Sequence, residues 1–147
     1  EISTAQLIES LKKELDLDIT DEEVLEGWNK IFVGESLGIR DNIDRLVSKY
    51  PLYIFSNTSI SHAEFWRNEY SELLKNFQKI FLSFELGMRK PEKESFLEVC
   101  SQIDVLPEKI LFFDDTEENI VAANDLGMNA VKVDSIQDIS ETIEKIY

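Results

Sequence analysis

The chain has 147 residues, with 15 Lys and Arg against 30 Asp and Glu, a formal net charge of −15 at pH 7. Apolar residues make up 43% and charged ones 31%, with five Gly and three Pro, so there is enough apolar side chain to bury a core and little reason to expect disorder. No apolar run approaches the roughly 18 residues of a membrane span, the opening residues carry no signal-peptide pattern, and no basic stripe exists to bind nucleic acid, although one small phosphate pocket is compatible with the acidic excess. The single cysteine, Cys100, excludes an internal disulfide and a cysteine-based zinc site and points to a reducing, cytosolic home.

The first unit covers residues 3–15. Ser3 and Gln6 have the spacing of a capping box, and Leu7, Ile8, Leu11 and Leu15 form one apolar face. Thr20 and Glu23 start a second helix in the same way, with Val24, Trp28, Ile31 and Phe32 on its face. Gly34 and Gly38 bracket a break. A third amphipathic stretch, 39–50, carries Ile43, Leu46 and Val47 and is ended by Pro51.

Beyond Pro51 the pattern changes. Short apolar runs at 52–55, 80–84, 110–113 and 130–133 read as strands, separated by amphipathic stretches at 63–77, 92–103 and 117–126, with a last helix over 136–147. Strands alternating with helices predict right-handed crossovers and a Rossmann-like, mostly parallel sheet with helices on both faces. The expected fold is α/β, preceded by a helical piece.

In open parallel sheets, ligands bind beyond the carboxyl ends of the strands. The first run is followed by Ser56, Asn57 and Thr58, and the third by Asp114 and Asp115, then Thr116, Glu117, Glu118 and Asn119. After the second run, Gly87-Met88-Arg89-Lys90-Pro91 leads into a helix with Pro91 expected in its first turn. Hydroxyl and backbone N–H groups at a helix start suit an anion, and a lysine adds positive charge. Adjacent carboxylates suit magnesium, which takes few protein oxygens and keeps waters or substrate oxygens. Each element alone has a plain structural use as a cap, a solvated lysine or a helix-dipole partner. Their coincidence, each after an expected strand, is what points to chemistry.

Ser56-Asn57-Thr58, Lys90-Pro91 and Phe112-Phe113-Asp114-Asp115 resemble the second, third and fourth motifs of the haloacid dehalogenase-like hydrolases. The stretch from Ser56 to Asp125-Leu126-Gly127-Met128 is most similar to bacterial sugar-phosphate phosphatases of the α-glucose-1-phosphate phosphatase type, and also to the N-terminal phosphatase domain of mammalian soluble epoxide hydrolase. The resemblance implies Ser56 and Asn57 on phosphoryl oxygens, Lys90 neutralising phosphate and nucleophile, Asp115 with support from Asp114 as magnesium ligands, and Asn119 near the metal. It implies residues 1–36 as the C-terminal part of a helical cap and 37–147 as the core, acting on a small phosphorylated metabolite.

Such hydrolases also use a first motif, a strand ending in Asp-x-Asp, whose aspartates serve as nucleophile and as general acid and base. Asp16-Leu17-Asp18-Ile19-Thr20 matches the letters, but it follows an amphipathic helix end instead of an apolar strand, and a capped helix follows it. Asp134 has no second aspartate two positions on. By resemblance the first strand lies between those ending at Ser56 and Asp114, so the expectation is that this strand and the start of the cap precede residue 1. Without it, two strand edges and a gap would be exposed, and the piece is not expected to fold well alone. The leading reading is therefore a magnesium-dependent phosphatase working through a phosphoaspartyl intermediate. The alternatives are a non-catalytic phosphate-binding or scaffold protein of the same fold and a metal-free haloacid dehalogenase. A phospho-receiver domain is disfavoured because its acidic pair precedes its lysine, whereas here Lys90 comes before Asp114. Trp28, Phe32 and Trp66 are candidates for lining a cap opening, His62 for a substrate contact, and Cys100 reads as a buried small hydrophobe.

Overall fold

A computed structural model describes residues 2–146. Glu1, where the cap piece was expected to begin, and Tyr147, the last position of the expected final helix, lie outside the described residues. The chain forms two compact units, one of residues 1–35 and 58–75, the other of residues 36–57 and 76–147.

The first unit is helical. Helix α1 (Thr4–Glu14) opens on a full capping box, Ser3 accepting from the Gln6 N–H and Gln6 from the Ser3 N–H. Helix α2 (Asp21–Asn29) repeats the device with Thr20 and Glu23. It stops earlier than its apolar pattern suggested: Ile31 lies beyond its end and is 65% exposed. The helix expected over 63–77 is two, α4 (Ile60–Glu69) and α5 (Ser71–Leu74), divided at Tyr70. Ile8, Val24, Ala63 and Trp66 are the buried apolar residues of this unit, so Trp66 belongs to its core. Trp28 donates from Nε1 to Ser61 Oγ at 3.2 Å and stacks on His62 with ring centroids 4.8 Å apart. Phe32 meets the His62 ring edge-on, and His62 Nε2 donates to the Trp28 carbonyl at 3.3 Å, which puts the imidazole proton on that nitrogen. Asp16 and Asp18 sit on the exposed turn between α1 and α2, not at the end of a strand.

The second unit is α/β. It holds α3 (Ile39–Val47), β1 (Tyr53–Ser56), β2 (Lys79–Leu82), α6 (Ser83–Leu86), α7 (Lys93–Ile103), β3 (Leu111–Asp114), α8 (Glu117–Asp125), β4 (Asn129–Lys132) and α9 (Ile136–Ile146). Helix α3 ends three residues before the expected Tyr50, and residues 83–84 open α6 instead of closing β2. Pro91 lies before α7, whose N-cap is Glu92, and not in its first turn; the Lys90–Pro91 peptide is cis. Gly87, at φ 68°, ends α6 in the left-handed conformation that a side chain would strain, and so turns the chain toward Lys90.

The four strands do not form one sheet. β1 pairs in parallel with β2, and β3 in parallel with β4, as two separate two-stranded sheets among the described residues. Along a parallel strand, successive residues point their N–H and C=O groups to opposite sides. The Leu52 carbonyl accepts from Gln78 N–H, so Leu52, Ile54 and Ser56 face β2, and Tyr53 and Phe55 face away. The Ile110 and Asp114 carbonyls accept from Asn129 and Val133, so Leu111 and Phe113 face away from β4. Phe96 of α7 joins the two sheets. It is 1% exposed and meets Phe55 and Phe112 edge-on at 5.5 and 5.4 Å, over a core of Cys100, Ala122, Ala123 and Met128. Among the described residues no helix is long and apolar enough to cross a membrane.

Candidate active site

The carboxyl ends of β1 and β3 bring four of the expected residues together. Lys90 is 8% exposed, and its Nζ donates to Asp114 Oδ2 at 2.6 Å and to the Phe55 carbonyl at 2.8 Å. That carbonyl lies on the side of β1 turned away from β2, so the lysine uses an acceptor the sheet leaves open. The ammonium also sits 5.2 and 5.5 Å from the Phe55 and Phe112 ring centroids, where the ring faces attract a cation. Its loop is fixed by Asn57, whose side-chain amide reads the Lys90 backbone twice: Nδ2 donates to the Lys90 carbonyl at 2.8 Å and Oδ1 accepts from the Lys90 N–H at 3.0 Å.

Asp114 is held as firmly. Oδ1 accepts from Asn119 Nδ2 at 2.8 Å and from the Thr116 N–H at 2.9 Å, while Oδ2 accepts from Lys90. Burial pushes this carboxyl up, but the donors from Lys90, Asn119 and Thr116 together outweigh it and hold it below the ordinary carboxylate range. Asn119, 6% exposed, therefore orients a carboxylate.

The remaining expected residues differ in their freedom. Ser56 ends β1, half-buried, and its hydroxyl makes no hydrogen bond to another described side chain or backbone group. Asp115 is exposed, with one oxygen accepting from Thr116 Oγ1 at 3.3 Å. Thr58 belongs to the other unit, where its hydroxyl donates to the Ser59 carbonyl at 3.5 Å. The pattern of residue types did not reveal that the Asn57 amide serves Lys90, that Asn119 serves Asp114, or that a strand carbonyl completes the lysine site. The only signal for such a lattice was the density of hydrogen-bonding residues after apolar runs.

No group of three or more His, Cys, Asp or Glu side chains among the described residues is arranged to hold a metal ion. Magnesium needs less from a protein: one or two carboxylates, with waters and phosphate oxygens filling the rest. Both Asp114 oxygens already accept protein hydrogen bonds, whereas Asp115 presents an exposed carboxylate beside them. The donor set fits a hard cation held by Asp115 as one of several oxygen ligands.

Residues 6–127 match the model of the haloacid dehalogenase-like hydrolase family. A D-ribitol-5-phosphate phosphatase of Bacteroides thetaiotaomicron is 29% identical over 126 residues, which is 82% of this chain and 61% of that protein, so the chain spans less than two thirds of its length. A haloacid dehalogenase family enzyme from the same bacterium, solved with magnesium and inorganic phosphate, superposes with a TM-score of 0.81 at 27% identity, covering 89% of this chain and 69% of its own. A HAD-like family hydrolase of Porphyromonas gingivalis gives 0.82 at 25% identity over 99% of this chain and 73% of its own. The match over most of the chain, on a fold that builds a buried Lys90–Asp114 pair at its strand ends, makes this protein a member of the haloacid dehalogenase-like hydrolases.

Proposed function

We propose that the complete protein is a magnesium-dependent phosphatase acting on a small phosphomonoester, a sugar or polyol phosphate, in the cytosol. The observation that carries this reading is the buried Lys90–Asp114 pair, with the open Ser56 hydroxyl and the exposed Asp115 carboxylate on the same strand ends. Asn57 fixes the Lys90 backbone, and Asp114, kept ionised by its donors, aims the ammonium. Lys90 Nζ has three N–H groups, of which Phe55 and Asp114 take two. The third is available to a phosphoryl oxygen, where a preorganised cation stabilises the charge that develops in transfer. Ser56 Oγ supplies a second donor, and the Asn57 backbone N–H a third, because its side chain is committed elsewhere. Magnesium held by Asp115 would supply Lewis-acid polarisation of the phosphoryl group. The attacking aspartate, forming a phosphoaspartyl intermediate, is proposed to come from a strand preceding residue 1. The relatives' names, a ribitol phosphate phosphatase above all, support the substrate class.

Asp16 and Asp18, the Asp-x-Asp of the described residues, lie on the exposed turn between α1 and α2 and not at a strand end, so neither is proposed as the nucleophile. The test is phosphate release by the full-length protein from a panel of sugar and polyol monophosphates, with magnesium and with chelator. Turnover that needs magnesium and falls by about 100-fold or more in Ser56→Ala and Asp115→Asn is expected, the scale for losing one preorganised group. Tight binding of inorganic phosphate with no turnover of any ester would establish the non-catalytic reading instead.

A further inference from the structure

The rim of the second sheet carries a cation that neither the motifs nor the buried pair accounts for. Lys132 is the last residue of β4 and stands in register with Asp114 of β3, so it ends at the same strand edge as the candidate site. Its ammonium pairs with Asp134 across the β4–α9 junction, with side-chain exposures of 36% and 80%. A pair so open to water adds little stability.

The junction also does not depend on it. Asp138 of α9 accepts from the Asp134 N–H at 3.0 Å, the Ser135 N–H at 2.8 Å and Ser135 Oγ at 3.3 Å, which ties the loop down without the lysine. The wider surroundings of Lys132 are acidic. Its hydrogen bond to Asp134 raises its pKa against a smaller opposing effect of burial, and the charges of Asp134, Glu117 and Asp115 raise it further. Lys132, in register with Asp114 and paired with Asp134, is thus a positive charge at the strand edge where Asp115, the carboxylate proposed to hold the metal, directly follows Asp114.

We infer that Lys132 sets the charge balance of this rim, weakening cation binding at Asp115 and strengthening attraction of the dianionic phosphate group of a monoester. This rests on the phosphatase reading above and names a positioning residue for it. Three carboxylates without Lys132 would form a site that favours cations and repels the substrate anion. With Lys132 tethered by Asp134, the same rim admits both. Asp134 works as the tether that moderates the lysine's pull on phosphate.

The experiment titrates the full-length protein with magnesium alone, and with inorganic phosphate at saturating magnesium, by calorimetry. One unit charge acting across a partly solvated rim changes such affinities by about 3- to 10-fold. Lys132→Met is expected to tighten magnesium and weaken phosphate, each by about that factor. Lys132→Arg is expected to keep both within about twofold of the original, and Asp134→Asn to shift them in the opposite senses to Lys132→Met. Loss of packing alone would weaken both ligands together, so that result overturns the proposal, as does no change beyond about twofold in Lys132→Met. If Lys132→Met fails to fold, the Asp134→Asn shifts decide alone, and their absence overturns it. An original protein that binds neither magnesium nor phosphate refutes the phosphatase reading and this proposal with it, whereas binding of both, unmoved by Lys132→Met, refutes only the proposal.

Discussion

Replacing Lys90 by methionine tests whether the buried pair organises the α/β unit. The Lys90 and Asp114 side chains are 9% and 6% exposed and 2.6 Å apart, so solvent screening does little to weaken their attraction. Lys90→Met removes two charge-assisted hydrogen bonds, to Asp114 and to the Phe55 carbonyl, each of order 1.5–3 kcal/mol. It leaves Asp114 buried with only Asn119 and Thr116 as donors, and breaking one partner of a buried pair costs roughly 3–5 kcal/mol. The methionine thioether can fill the space between the Phe55 and Phe112 rings, which offsets about 1 kcal/mol. The expected net loss is about 3 kcal/mol, measured by urea unfolding of the full-length protein followed by far-UV circular dichroism. Asp114→Asn should cost a similar amount. The double variant should cost less than the sum by about 2 kcal/mol, because the second change removes a charge the first left unpaired. A loss below about 1 kcal/mol for Lys90→Met, or costs that add within about 0.5 kcal/mol, would refute the view that this pair is a coupled, structure-bearing unit.

Phe96→Ala should destabilise the same unit by about 3–5 kcal/mol, because a ring that is 1% exposed and touches both Phe55 and Phe112 leaves a cavity that no single sheet can close; a midpoint shift worth less than about 1.5 kcal/mol in the same urea assay contradicts that bridging role. Asp138 is held below the usual aspartate pKa, first by the N–H of Ser135 and then by that of Asp134. A depressed folded pKa stabilises above the unfolded value, about 3.9, and that stabilisation is lost as pH falls through the folded value. The gap in melting temperature between the original protein and Asp138→Asn should therefore narrow from about pH 6 to about pH 3, and a constant or widening gap would count against the assignment.

Periodicity and caps carried most of the secondary structure. Ser3 with Gln6 and Thr20 with Glu23 form the capping boxes their spacing implied, and all four apolar runs become strands within a residue or two of their expected bounds. Where apolar spacing ran past a helix end, at Ile31, or across a break, at Tyr70, the pattern misled, since an apolar side chain three or four residues on extends a helical face only if the backbone continues. Ser56, Lys90, Asp114 and Asp115 were legible as a group because each follows a strand in a parallel α/β order.

What each of them does was not legible, because local sequence cannot say which of two hydrogen-bonding groups meets which. Asn57 and Lys90 are 33 residues apart, and Lys90 and Asp114 are 24 apart, so only folding reveals that the Asn57 amide clamps the lysine's backbone while Asp114 takes its charge. The same holds for the sheet. The apolar runs specify strands, but pairing depends on which backbone edges find partners, and here Tyr53, Phe55, Leu111 and Phe113 turn theirs away from the strands beside them. Sequence by itself determined the strand and helix order and the residue types along the carboxyl rim, since these follow from periodicity and composition over a few residues. Tertiary structure alone decided that Lys90 is buried on a strand carbonyl, that donors hold Asp114 below the ordinary carboxylate range, that Asp115 is left exposed, and that Lys132 ends its strand in register with Asp114, because burial and long-range donor–acceptor matching exist only once distant segments are packed together.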